Sequence, residues 1–149
     1  MRGLLAAWVS AVCMLSVLAG GRTLAFNERQ SEFDKSIRSL EESSRKDPTN
    51  PQTWNDIAIF YWEELRRNSK LSDSKENDYI LKGLEASDKA ITLQPNYAEA
   101  IVFKALLLRM QALREKDKGK QKSLIDEANR LSDKGNLLRA KRQAWTPPL

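Results

Sequence analysis

One stretch constrains this chain more than any other: Leu84 to Arg109, LEASDKAITLQPNYAEAIVFKALLLR. Leu84, Ser87 and Ile91 fall at i, i+3 and i+7, with Gly83, Ala86 and Ala90 beside them. That is the apolar stripe of an amphipathic helix, with small positions where a second helix can come close. Pro95 has no N–H and turns Gln94 away from helical angles, so the first helix must stop there. Asn96 is the expected N-cap of the next helix, with Glu99 three positions on as in a capping box. From Ala98 to Met110 that helix is apolar almost all round, broken only by Glu99, Lys104 and Arg109. A helix of this kind requires neighbours on several sides, so it is the expected centre of the core.

Upstream and downstream the chain repeats this design more loosely. Residues 27–46 read as a helix capped by Asn27 with Gln30, carrying a narrow stripe of Phe33, Ile37 and Leu40 beside Ser36 and Ser43. Asp47-Pro48-Thr49-Asn50-Pro51 ends it and starts the next, with Asn50 as cap and Pro51 in the first turn. Trp54, Ile57, Ala58, Tyr61, Trp62 and Leu65 then form a broad apolar face, which at helical spacing reads first as core. Tyr61 and Trp62 are neighbours in sequence, about 100° apart on a helix, so one of them is placed at the edge of that face. Residues 69–76, SKLSDSKE, read as a polar surface loop, and a helix from about Asn77 leads to the corner. After the central helix, residues 115–122 read as a charged turn around Gly119. The last helix is expected over 123–143, with Leu124, Ala128, Leu131, Gly135 and Leu138 on a seven-residue period. Residues 144–149 read as a flexible tail.

The first 25 residues follow a different logic. One positive charge at Arg2 precedes an apolar run from Leu4 to Ala19, then small residues, the tripartite pattern of a secretory signal peptide. Cleavage after Ala25 (Thr23, Ala25) or after Ala19 (Val17, Ala19) would satisfy the small-residue rule. An uncleaved anchor is the other reading, but the run falls short of the roughly 20 residues of a spanning helix. Cys13 lies within the run, too deep for a lipid-attachment site, and Trp8 is part of the same hydrophobicity. The expected location is therefore periplasmic or secreted, with 26–143 as the folded domain.

What the chain lacks limits its chemistry. It has no His, and Cys13 is its one Cys. A chain processed after residue 25 could form neither Ser-His nor Cys-His pairs, thiol or imidazole metal sites, nor disulfides. The carboxylates near residues 66–79 (Glu63, Glu64, Asp73, Asp78 and Glu85) form no pattern of an acid–base pair. The sequence thus points to no catalytic, cofactor-binding or metal-binding residue, and to a non-enzymatic protein. Charge is unevenly spread: residues 26–108 hold 12 basic and 15 acidic side chains, residues 109–149 hold 11 and 5. The basic last helix presents Arg130, Lys134, Lys141 and Arg142, a candidate surface for a membrane or an acidic envelope polymer. It lacks the aromatic–basic interleaving expected of nucleic-acid binding.

Pro48 and Pro95 stand 47 residues apart, each closing a charged amphipathic helix and opening a second apolar one, the mark of a helical-hairpin repeat. Trp54, Ile57-Ala58 and Tyr61, followed by Gly83, Ser87, Ala90 and Pro95, resemble the tetratricopeptide-repeat family in order and type. Ile101, Lys104-Ala105 and Leu108 begin a second unit, with Lys104 where the family usually has Leu and Ser87 where it has an aromatic residue. The phrase Pro95-Asn96-Tyr97-Ala98-Glu99-Ala100 is the most family-like of all. Against a unit of about 34 residues, this one carries about 13 extra between Trp62 and Ile80. The resemblance implies an all-α fold of antiparallel helical hairpins stacked as a short solenoid, five helices in all, as in short exported members of bacterial type. It further implies a scaffold that holds a peptide or partner protein on its concave face. Asn55, Ile59, Trp62, Lys104 and Leu108, on the first helices of the two units, are the candidate binding residues. An incomplete first repeat also leaves self-association open.

Overall fold

In the computed structural model, residues 28 and 30–145 are described, and they are all-helical. The segment read as a signal peptide, the Asn27 cap and residues 146–149 lie outside them. Helix α1 covers residues 30–46, α2 Pro51–Arg67, α3 Asp73–Leu93, α4 Ala98–Arg114 and α5 Lys118–Trp145. No helix among the described residues is long and apolar enough to cross a membrane.

The chain divides into two compact units, at Arg38 and Ser39. In the first, Phe33 and Ile37 are the buried residues of α1, and Gln30 Nε2 donates to Asp34 Oδ1 at 3.0 Å. The second holds the end of α1 and all of α2 to α5. At the end of α1, Ser44 is buried while Ser43, expected as a small packing position, is exposed.

The corner between α1 and α2 is built from local polar chemistry. Asp47 Oδ1 accepts from the Thr49 amide at 3.2 Å and hydroxyl at 2.8 Å, an Asx turn that competes with helix continuation. Asn50 caps α2 by accepting from the Gln52 amide at 2.9 Å, and Pro51 occupies the first turn, as its fixed φ favours. Trp54 Nε1 then donates to Pro48 O at 2.9 Å, tying the turn to the helix it starts.

Three helix pairs run antiparallel. Tyr61 of α2 meets Tyr79 of α3 with ring centroids 5.2 Å apart. Gly83 of α3 sits where a Cβ would lie 2.9 Å from Leu107 of α4, and Arg114 at the end of α4 pairs with Glu76 at the start of α3. Gly135 of α5 sits where a Cβ would lie 2.6 Å from Val102 Cγ2 and 3.3 Å from Ala98 O. By contrast α2 and α4 run parallel: Tyr97 at the start of α4 donates to Gln52 at the start of α2, and Trp62 meets Phe103 further along. So α4 stands to α5 as α2 stands to α3. These are two stacked hairpins, a small solenoid-like arrangement.

Helix α4 is the hub, packed against α2, α3 and α5. Ile101, Ala105 and Leu107 are fully buried. Ala105, Leu108 and Ala128 form one cluster with Leu84, Leu124 and Leu131 packed on it, while Ala90, Tyr97 and Ala100 form another with Trp54 and Ile91. The seven-residue stripe of α5 is thus its contact face.

Several boundaries differ from the sequence expectation. Tyr97, not Asn96, is the N-cap residue of α4, and no side chain caps it. The Tyr97 hydroxyl serves tertiary structure instead, reaching across to Gln52. Helix α3 starts at Asp73 because Ser72 caps it, accepting from the Lys75 amide at 3.3 Å. The connection is short, closed by buried Asn68, which donates to Glu64 at 2.7 Å and accepts from the Lys70 amide at 3.2 Å. Helix α3 thus takes in residues 73–76 of the segment expected to be a loop. Likewise α5 begins at Lys118, because Asp117 Oδ1 accepts from the Lys120 amide at 2.8 Å, which places Gly119 inside the first turn. At its other end α5 continues through Ala144 and Trp145, into the segment expected to be a tail.

Gly83→Val should lower stability by about 1–3 kcal/mol by forcing α3 from Leu107. Ile101→Ala should cost about 2–5 kcal/mol through the cavity it leaves. Urea unfolding followed by circular dichroism checks both, as a lower midpoint at unchanged slope.

Candidate functional site

Helices α2 and α4, the parallel pair, share a surface on which Trp62 and Phe103 meet edge-to-face, centroids 5.4 Å apart at 71°. Both rings are only half-buried. The Arg66 guanidinium lies 5.3 Å from the centre of the Trp62 ring, a cation–π contact one turn further along α2. Ile59 occupies the same side of α2, also half-buried. On α4, Leu106, Met110 and Leu113 follow Phe103 at helical spacing, and Leu113 is 82% exposed.

The five candidate residues divide between surface and interior. Ile59 and Trp62 lie on this face. Asn55 is 1% exposed, and its Oδ1 accepts no hydrogen bond among the described residues. Leu108, 5% exposed, belongs to the cluster beneath α5 and packs into the interior. Lys104 holds neighbouring helices together: its Nζ lies 2.7 Å from Asp88 of α3 and 3.8 Å from Glu127 of α5. Its ammonium group replaces an apolar contact with two carboxylates that remain largely in water. Phe103, Arg66 and Leu113, which sequence reasoning passed over, belong to the face. The signal for them was the helical spacing 103, 106, 110, 113 on a helix otherwise apolar all round.

The basic residues of α5 are also divided. Lys134 Nζ donates to Pro95 O at 3.3 Å, and Arg142 pairs with Glu99 at 2.7 Å, so both brace the start of α4. Burial alone would raise the pKa of Glu99. The hydrogen bond from Arg142, a backbone hydrogen bond and the Arg142 and Arg139 charges together outweigh this and lower it. Arg130 and Lys141 are exposed.

A cavity of about 370 Å³ lies between the end of α1, α2 and α3, lined by Trp54, Ile57 and Tyr61 with Glu41, Arg45, Lys82 and Lys89 around them. Several of its polar groups are engaged within the protein. Lys89 pairs with Glu85 at 2.8 Å and covers the Trp54 ring at 4.3 Å, and Lys82 pairs with Asp78 at 2.9 Å. Tyr61 donates to Glu41 at 3.3 Å. Burial, then the Glu41 charge and hydrogen bond, pushes the Tyr61 phenol far above its usual value. Among the described residues no group of His, Cys, Asp or Glu could hold a metal ion. Comparison with protein-family models, with curated proteins and with solved structures returns no match.

The raised Tyr61 phenol fixes a sign. Above the ordinary tyrosine value of 10.0 the unfolded chain releases this proton while the folded chain keeps it, so stability present below that pH is lost as pH rises. Tyr61→Phe cannot ionise and should lose stability less steeply above pH 10. Thermal unfolding midpoints across the alkaline range check this, and parallel curves for the two proteins would contradict it.

Proposed function

We propose that this chain is a non-enzymatic interaction or scaffold module of tetratricopeptide-repeat type. In this reading it acts outside the cytoplasm and holds a peptide or a partner protein on the concave face formed by α2 and α4. The observation that carries it is the half-buried Trp62–Phe103 pair, which joins the first helices of the two hairpins at the surface. Aromatic side chains offer large contact area for little lost conformational freedom, and adjoining apolar residues on α4 extend that area. The parallel relation of α2 and α4 supports the repeat reading, because stacked units place equivalent helices side by side. Action outside the cytoplasm rests on residues 1–25 alone.

The other reading assigns binding to the basic side of α5. It has less support, because Lys134 and Arg142 are already engaged at the start of α4.

The test is recovery of partners by the immobilised full-length chain from the host's envelope fraction, at low and high salt. A discrete protein partner retained at both salts, with affinity reduced by about 2 kcal/mol (roughly thirty-fold) in Trp62→Ala, is the expected result. Recovery only at low salt, abolished by Arg130→Glu with Lys141→Glu and untouched by Trp62→Ala, would transfer the function to α5.

A further inference from the structure

We propose that the face of α2 and α4 takes an acidic amphipathic helix of a partner protein, with apolar residues against α4 and carboxylates at its margins. The inference rests on the interaction-module reading and adds the chemistry of the partner.

The apolar surface of α4 is a narrow strip. Phe103, Leu106, Met110 and Leu113 recur at intervals of three and four, so they form one stripe along α4 rather than scattered contacts. The stripe runs about 15 Å, close to three turns. Leu113, at its end, is the most exposed large hydrophobic residue among those described. Trp62 stands along one side from α2, and Arg109 turns toward α5 on the other. A strip bounded on both sides accepts a helix whose own apolar residues recur at three and four, as in helix-in-groove recognition.

Charge at the margins of the strip is positive. Arg66 contacts the Trp62 ring, and Arg109 donates to two neutral oxygens, Asn129 Oδ1 at 3.0 Å and Ser132 Oγ at 3.3 Å. Neither guanidinium is within ion-pair distance of a carboxylate among the described residues. The acids beside them on these helices are engaged: Glu63 pairs with Arg67 at 2.8 Å, Glu64 accepts from Asn68 at 2.7 Å, and Glu99 of α4 pairs with Arg142 at 2.7 Å. The apolar stripe therefore has an uncompensated cation near each edge, and a carboxylate is the group that completes it.

A library of random peptides of about 14 residues, long enough for roughly four helical turns, displayed and selected on the full-length chain, tests this. Enriched sequences are expected to carry apolar residues at i, i+3 or i+4, and i+7, flanked by Asp or Glu. Affinity of a selected peptide should fall at least ten-fold in Leu113→Asp and in Arg66→Glu. Its Lys-substituted counterpart should bind Arg66→Glu better than the natural chain does. Leu113 and Arg66 are exposed, so both variants should keep the parent circular dichroism spectrum. Selected peptides that bind this face but carry no acids would overturn the inference and leave the interaction-module reading standing. Peptides unaffected by Leu113→Asp, or no enrichment at all, would overturn both. Sedimentation in which the parent self-associates and Leu113→Asp does not would assign the stripe to a second copy and overturn the proposal of a partner helix.

Discussion

Burial of α4 is the constraint on which the remaining structure depends. Its sequence leaves almost no polar side, so it can be stable only where other helices cover most of its circumference. Three helices do so, and the approaches of α3 and α5 use small residues. Gly83 brings α3 onto Leu107, and Gly135 brings α5 onto Val102 and the Ala98 carbonyl. Ala105 and Ala128 meet without intervening bulk in the cluster beneath α5. Large residues fill the spaces this creates, so packing depends on alternation of size and not on any one bulky anchor.

That arrangement explains why the exposed side of α4 is apolar as well. Covering Ile101, Ala105 and Leu108 from one direction leaves Leu106, Met110 and Leu113 facing the other, where among the described residues α2 comes alongside through Trp62 and Phe103. The polar residues of α4 are placed to serve its neighbours. Lys104 binds α3 and α5 together, Glu99 receives Arg142, and Arg114 reaches back to the start of α3. The same helix therefore provides both the core and the apolar surface that we propose takes a partner.

Architecture was legible in the sequence because its signals are local. Pro95 removes a hydrogen bond wherever it stands, so α3 ends at Leu93, and Asn50 with Pro51 starts α2 as expected. The seven-residue spacing of α5 marked its buried side correctly. Other features were lost because tertiary partners decide them. Asn96 looks like a cap, but Tyr97 takes the cap position because its ring packs with Ala90 and Ala100 and its hydroxyl reaches Gln52. Lys104 and Leu108 were picked for lying on a first helix, yet their side chains point to α3 and α5, which only the packing of all three helices fixes. Ser72 and Asp117 are short polar residues in charged stretches, and nothing in such a stretch announces which of them will cap a helix. Of the adjacent pair Tyr61 and Trp62, one was expected at the edge of the apolar face of α2, and Trp62 is the half-buried one.

The most direct test of α4 as the hub is native-state hydrogen exchange resolved by residue. The account predicts that amides from Ile101 to Leu108 exchange only with global unfolding, while the last turns of α5, which have fewer covered positions, open earlier. Exchange of α4 as fast as those last turns would mean that the hairpins do not depend on it, and would contradict the account.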